Sequence, residues 1–503
     1  MPKRFRLLFL SSALLALSAC GGDGDATGPR ATPDGNLRYG DIAFKPCSLS
    51  TAGVDAVEAQ CATLRVPENH DAPDGRQIDL AVALIPADGQ AEPDPLVMIA
   101  GGPGQSALES YPQLHDAFGD ARRNRSVLLV DARGTGGSHP LDCETEQARY
   151  EAMAPADLTP EAAAEYAESC RKELEADADL RFYTTTDHIR DLDLLRRKLG
   201  VERLNLVGVS YGTRVAQQFA SRYPQHTRTL TLDSVVPNSL VLGQEHARNL
   251  EAALEQQFER CAADAACKTQ LGDTRQQLAQ VRETLRAGGL APVRYRDPVS
   301  GQWREDIPDF GHLAMLLRLY AYQPQAAAML PLIVRDAANG DYESLLAQSR
   351  AIYAQISGTM SAGMGMSVSC TEDPELAVAP EDADTVLGSE FVDFMLAQCK
   401  HWPKGERPAG FRKPLAGDVP VLAISGEFDP VTPPRYGDEV VEHLPNGRHL
   451  VLPGQGHSVL GIGCMPKLFA QFIETADAKA LDAECLERLK PTPPFAGTYG
   501  WEP

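Results

Sequence analysis

Short unbroken apolar runs alternate along the chain with longer segments whose apolar residues recur every three or four positions. Leu96-Val97-Met98-Ile99-Ala100, Ser126-Val127-Leu128-Leu129-Val130, Leu204-Asn205-Leu206-Val207 and Pro420-Val421-Leu422-Ala423-Ile424-Ser425 are short and rich in branched residues. Such runs suit central parallel strands, which are covered on both faces. Residues 37–44, 62–66 and 77–85 predict short strands forming an antiparallel start to the sheet, and 229–236 and 448–452 predict two later strands. Residues 185–199 place Ile189, Leu192, Leu194, Leu195 and Leu199 at mostly helical spacing, which predicts a packing helix. Residues 155–178 predict an Ala/Glu-rich helix, peripheral by its polarity, and 466–476 a final helix.

The pattern changes between about 240 and 369. Residues 245–260, 274–286, 310–322 and 326–338 predict apolar-faced helices, followed by a Met/Gly/Ser-rich stretch at 356–366 and few strand signals. The organisation expected is an α/β core in two parts, 41–240 and 370–490, interrupted by a helical cap insertion at 241–369 and closed by a tail at 491–503.

Residues 201–224 carry the most chemistry. An apolar strand runs into Gly208-Val209-Ser210-Tyr211-Gly212 and then into a helix-like segment ending at Pro224. Strand, G-x-S-x-G and helix together predict a nucleophile elbow, with Ser210 at the apex of a turn too sharp for side chains at the two glycines. Such a serine needs a base, and the base an orienting acid. Asp429 follows a buried strand in Ser425-Gly426-Glu427-Phe428-Asp429-Pro430, with Glu427 as its local rival. His457 follows the last strand in Gly454-Gln455-Gly456-His457. The order Ser, Asp, His is the one this elbow calls for. The oxyanion needs fixed N–H donors, expected from Tyr211 and from Gly102 in the loop Gly101-Gly102-Pro103-Gly104. Neither Gly-rich loop holds a phosphate-binding or dinucleotide fingerprint. No cofactor is implied. There is no C-x-x-C, no H-E-x-x-H and no zinc-spaced Cys/His cluster, so no metal site is expected.

Composition narrows the setting. A formal charge of −22 over 503 residues supplies no cationic surface for nucleic acid. Lys3, Arg4 and Arg6, the apolar stretch 7–16 and Leu17-Ser18-Ala19-Cys20-Gly21 form a targeting segment, residues 1–20, and 21–40 reads as a flexible tether. The sequence around Cys20 resembles a bacterial lipobox, which implies lipidation of Cys20 and a membrane anchor. The expected location is the periplasm or outer membrane, with plain secretion the alternative. The other ten cysteines are even in number, and an oxidising compartment would allow five disulfides. The simplest pairing joins chain neighbours: Cys47 with Cys61, Cys143 with Cys170, Cys261 with Cys267, Cys370 with Cys399, and Cys464 with Cys485.

The set G-G-P-G-Q-S, V-D-A-R-G-T-G-G-S, G-V-S-Y-G, S-G-E-F-D-P-V-T-P-P and G-Q-G-H resembles the α/β-hydrolase peptidases of the proline iminopeptidase and tripeptidyl aminopeptidase group, nearest its exported Cys-rich branch. The resemblance spans about 41–490 and is weakest in the insertion. It implies an α/β-hydrolase fold with a mainly parallel sheet and helical cap. It also implies Ser210, Asp429 and His457 as triad, Gly102 and Tyr211 as oxyanion donors, and short peptides as substrates. Proline iminopeptidases commonly have His before G-G-P-G, where this chain has Ala100. Glu372, in Ser369-Cys370-Thr371-Glu372-Asp373-Pro374, looks similar to the group's acidic position and is the candidate partner for a substrate ammonium. Carboxylesterase or lipase action by the same triad is the alternative. A non-catalytic lipoprotein that keeps only the fold is a further one.

Overall fold

In a computed structural model, residues 28–33, 35–143, 159–356 and 358–496 are described. One eleven-stranded sheet organises them. Its first strands, β1 (Arg30–Ala31), β2 (Leu37–Tyr39), β3 (Ile42–Leu49), β4 (Val57–Pro67) and β5 (Gln77–Ile85), pair antiparallel in sequence order. The single strand expected at 37–44 is two, because Gly40, at φ +54°, turns the chain between them. The central strands β6 (Leu96–Ile99), β7 (Val127–Val130), β8 (Leu204–Val209), β9 (Thr227–Asp233), β12 (Val421–Gly426) and β13 (Gly447–Leu452) are parallel in the order β7-β6-β8-β9-β12-β13. β5 joins β7 antiparallel and completes the sheet.

The apolar runs are continuous because both faces are covered. Val97, Ile99, Leu128 and Val130 pack on one side with Ile189, Leu192, Val215 and Phe219. Leu96, Met98, Val127 and Leu129 pack on the other with Tyr111, Phe118, Phe469 and Phe472. Burying each such side chain stabilises by about 1.5–3 kcal/mol before chain entropy is counted. The helix Pro160–Leu174 is less peripheral than its polarity suggests, since Tyr166, Ala167 and Cys170 belong to the first of these cores.

Residues 247–345, with Val386 and Leu387, supply a third apolar cluster built from helices. An antiparallel hairpin of β10 (Val293–Arg296) and β11 (Trp303–Asp306) interrupts these helices. Its alternating, charged strands gave little apolar signal. The helix Ala362–Glu372 belongs to the sheet's core instead, through Met364, Met366, Val368 and Cys370. The five disulfides join Cys47–Cys61, Cys143–Cys170, Cys261–Cys267, Cys370–Cys399 and Cys464–Cys485, the neighbour pairing. The segment holding Cys20 lies outside the described residues. Among those described, no helix is long and apolar enough to cross a membrane.

Candidate active site

The carboxyl ends of β8, β9, β12 and β13 carry the site. Val209 pairs with Asp233 on β9, and Asp233 with Ile424 on β12. Ser210 follows β8 at φ +55° and ψ −122°, a conformation that an L-residue adopts only under constraint. Two glycines allow the turn. A Cβ on Gly208 would come within 2.4 Å of the Gly212 carbonyl oxygen, and one on Gly212 within 2.3 Å of the Ile99 oxygen. The helix Tyr211–Arg222 starts directly after the serine, so its positive end lies beside the Ser210 hydroxyl.

Asp429 and His457 meet from separate loops. His457 Nδ1 lies 2.8 Å from Asp429 Oδ2. Asp429 Oδ1 accepts the Val431 and Thr432 N–H groups at 2.9 and 2.8 Å, and Oδ2 accepts the Thr432 hydroxyl at 2.7 Å. With these bonds the carboxylate is the acceptor, so the imidazole proton is assigned to Nδ1 and the lone pair to Nε2. Burial would push the Asp429 carboxyl up, but His457 and the two N–H donors bring it below its ordinary value. Burial would likewise push His457 down, and Asp429, helped by Asp233, raises it instead. Glu427 accepts the Gly454 N–H at 2.7 Å, which spends its carboxylate on the loop after β13.

Asp233, which the sequence reading missed, is the joint between serine and histidine. Its carbonyl accepts the Ser210 N–H at 2.8 Å, and its carboxylate accepts the N–H groups of Val459 and Leu460 at 2.9 Å. The next residue, Ser234, accepts the Ser458 N–H at 2.8 Å. One β9 terminus thus fixes the elbow and the loop that bears His457. Its only sequence signal was an Asp-Ser pair ending an apolar strand.

The loop after β6 closes the other side. A Cβ on Gly101 would stand 3.2 Å from Ser210 Cβ, and Gly102 has φ +106°. Asp131 steadies this loop by accepting the Ser106 hydroxyl at 2.7 Å, the Leu108 N–H at 3.0 Å and the Gly137 N–H at 2.9 Å. Arg133, in the same motif, is wholly buried and forks onto Asp191 with two bonds of 2.7 Å. Both charges of V-D-A-R-G-T-G-G-S are therefore braces, a role that composition alone does not reveal.

Glu372 has a different setting from the one expected. It is 1% exposed, and Thr185 donates its N–H to Oε1 at 2.6 Å and its hydroxyl to Oε2 at 2.9 Å. The same Thr185 oxygen lies 2.6 Å from the Tyr211 hydroxyl. Burial raises the Glu372 carboxyl to about 7, partly offset by Arg214. Thr185 takes one lone pair on each of the two oxygens, so the carboxylate faces the start of the helix Thr185–Leu199 and is shut away from water.

A strained serine at a strand-to-helix elbow, with an Asp–His pair at the same sheet edge, defines an α/β enzyme of the hydrolase type. Residues 94–462 match the family described as the alpha/beta hydrolase fold, and the chain belongs to that family. It is 24% identical over 486 residues to the serine protease Hip1 of Mycobacterium tuberculosis, covering 88% of this chain and 91% of that one. It is 26% identical over 470 residues to the tripeptidyl aminopeptidase of Streptomyces lividans, covering 86% and 85%. Among solved structures it is similar to the proline iminopeptidase of Mycobacterium smegmatis, at 18% identity and a TM-score of 0.36, covering 83% of this chain and all of that one.

Proposed function

We propose that this serine hydrolase is an exported peptidase that removes short peptides from the free N-terminus of its substrate. Ser210 Oγ attacks the scissile carbonyl while His457 Nε2 takes the hydroxyl proton, and Asp429 holds Nδ1–H and stabilises the imidazolium. The N–H groups of Gly102 and Tyr211 meet the developing oxyanion. His457 returns the proton to the leaving amine as the carbon–nitrogen bond breaks. Water, activated by the same imidazole, then cleaves the ester and frees the peptide acid. The observation that carries this reading is the Asp233 joint, which ties the strained serine to the loop of the Asp-paired histidine. The names of the two relatives favour a peptidase over an esterase.

The insertion roofs the site in this reading. Its Tyr322 carbonyl accepts the backbone N–H of His457 at 2.9 Å, which ties the cap to the loop that carries the general base. A roof of this kind admits chain ends and short peptides in preference to folded protein. A free-amine tripeptide anilide is therefore expected to be cleaved at least tenfold faster than its N-acetyl twin, measured as kcat/KM. Equal rates on both, with simple esters cleaved faster still, would replace the aminopeptidase reading with the esterase one.

Export agrees with the five disulfides. Lipidation at Cys20 would hold the domain at a membrane by way of the tether. In cells fed labelled palmitate, the full-length protein should take up label and Cys20→Ala should not. Label retained by the variant would place any acylation elsewhere.

A further inference from the structure

The insertion holds a cation one side chain away from the histidine, with no carboxylate partner among the described residues. Arg318 lies on the helix Phe310–Tyr320, four residues before Tyr322. The Tyr322 ring meets the His457 imidazole edge-on at 4.9 Å between centroids. The Arg318 guanidinium interacts with the Tyr322 hydroxyl and lies over the Phe391 ring, 4.3 Å from its centroid. Its Nε is shut away from water and meets no hydrogen-bond acceptor among the described residues. No described carboxylate accepts from this Nε, although acidic residues outnumber basic ones 69 to 47. Two wholly buried guanidinium groups elsewhere have carboxylate partners, Arg133 with Asp191 and Arg214 with Asp373. His246, tilted against Phe391 with 4.7 Å between ring centroids, offers no compensating charge, because burial first and Arg318 second push it down to about 3.

A guanidinium with a sequestered Nε and no acceptor on it is a place for an anion. Asp429 and Asp233, not the guanidinium, set the charge balance at His457, so what Arg318 lacks among the described residues is a carboxylate partner of its own. A negative group that arrives with the substrate can fill the forked donors of the guanidinium. The position also says which part of the substrate would carry it. His457 delivers its proton to the leaving amine, so the groups ringing His457 flank the leaving portion of the peptide.

We propose that Arg318 binds a substrate carboxylate on the leaving-group side of the scissile bond, which makes a residue with a free carboxylate the preferred leaving group. This deepens the peptidase reading above and rests on it. The carboxylate can be the chain's own C-terminus or an acidic side chain. Four free-amine peptides that differ only in the last residue separate the two: alanine acid, alanine amide, glutamate amide and glutamine amide. Their length is one that the wild type cleaves before that residue, and release is followed by mass spectrometry.

The wild type should favour the charged member of at least one pair by about tenfold to a hundredfold in kcat/KM, the range for a charge-assisted hydrogen bond. Acid over amide assigns the C-terminus, and glutamate over glutamine assigns the side chain; either supports the proposal. In Arg318→Met the ratio should fall to about one, while Arg318→Lys should keep part of it. A ratio within one enzyme does not depend on the fraction correctly folded, and Arg318→Gln replaces the Met variant if that one yields no active enzyme. Equal rates for charged and neutral peptides in the wild type, or a preference that survives Arg318→Met, would overturn the proposal and leave the peptidase reading intact. If the wild type cleaves none of the four, nor a free-amine tripeptide anilide, the peptidase reading falls and this inference falls with it.

Discussion

Ser210→Ala is expected to lower kcat by roughly 10⁶-fold and to abolish labelling by a fluorophosphonate, with the fold intact. The magnitude follows from the proposed division of labour. Without the oxygen there is no acyl-enzyme, and only the oxyanion donors and substrate positioning remain to assist direct attack by water. The fold should survive because the elbow is held by backbone. The Ser210 N–H donates to the Asp233 carbonyl, and the serine side chain makes no capping bond to the helix it precedes. The strain at φ +55° is the same for Ala as for Ser, so the stability change should be small. Rates on the free-amine anilide, labelling and thermal unfolding of both proteins would be compared. A properly folded variant that keeps a tenth of the wild-type rate would remove Ser210 as nucleophile.

The parts of this site that were legible in the sequence are those a local pattern must satisfy. The turn at Ser210 needs glycine where a Cβ would strike the backbone, at 208 and 212, and so it leaves a written trace. Asp429 and His457 each lie in the loop after a short strand, so their place on one sheet edge follows once the strands are known to be parallel. Asp233 left almost no trace, because its role depends on which strand lies between β8 and β12. That is a property of topology and not of any window of residues. Glu372 shows the opposite case. Its charge and position suggest a ligand for an ammonium, while its bonds to Thr185, nearly two hundred residues earlier on another helix, could be found only in the fold. The β10–β11 hairpin escaped because its strands are largely polar and form a separate two-stranded sheet, with Val293 packed on the helical cluster. Arg318 escaped for a related reason, since a lone arginine on an apolar helix looks the same whether or not a carboxylate waits across the fold.

Asp429→Asn should cost about 10⁴-fold in kcat while leaving the fold cooperative, because it changes the tautomer of His457 more than its place. Asn can keep its amide oxygen on the Val431 and Thr432 N–H groups, which hold Oδ1 in the wild type. Its amide nitrogen then faces His457 Nδ1, which must accept, and the ring proton moves to the nitrogen that should act as base. The pH profile distinguishes this from simple misplacement. In the wild type His457 is raised above the ordinary imidazole value, so the acid limb of kcat/KM should lie above about 6.5, with activity rising as the imidazole loses its proton. With Asn the raising partner is gone and burial remains, so the limb should move to lower pH. Stability carries the opposite sign. His457, raised, contributes stability that is full below the unfolded value near 6.5 and lost as pH rises through the folded value. Asp429, lowered, contributes stability that is full above the unfolded value near 3.9 and lost as pH falls through the folded value. The charged pair therefore stabilises most between about pH 4 and 6.5, where the histidine is protonated and the enzyme idle. Removing it in Asp429→Asn should lower Tm more at pH 5.5 than at pH 9, whereas the loss of activity should persist across the profile. An acid limb that stays in place, or a Tm difference that does not change with pH, would take Asp429 out of contact with the general base.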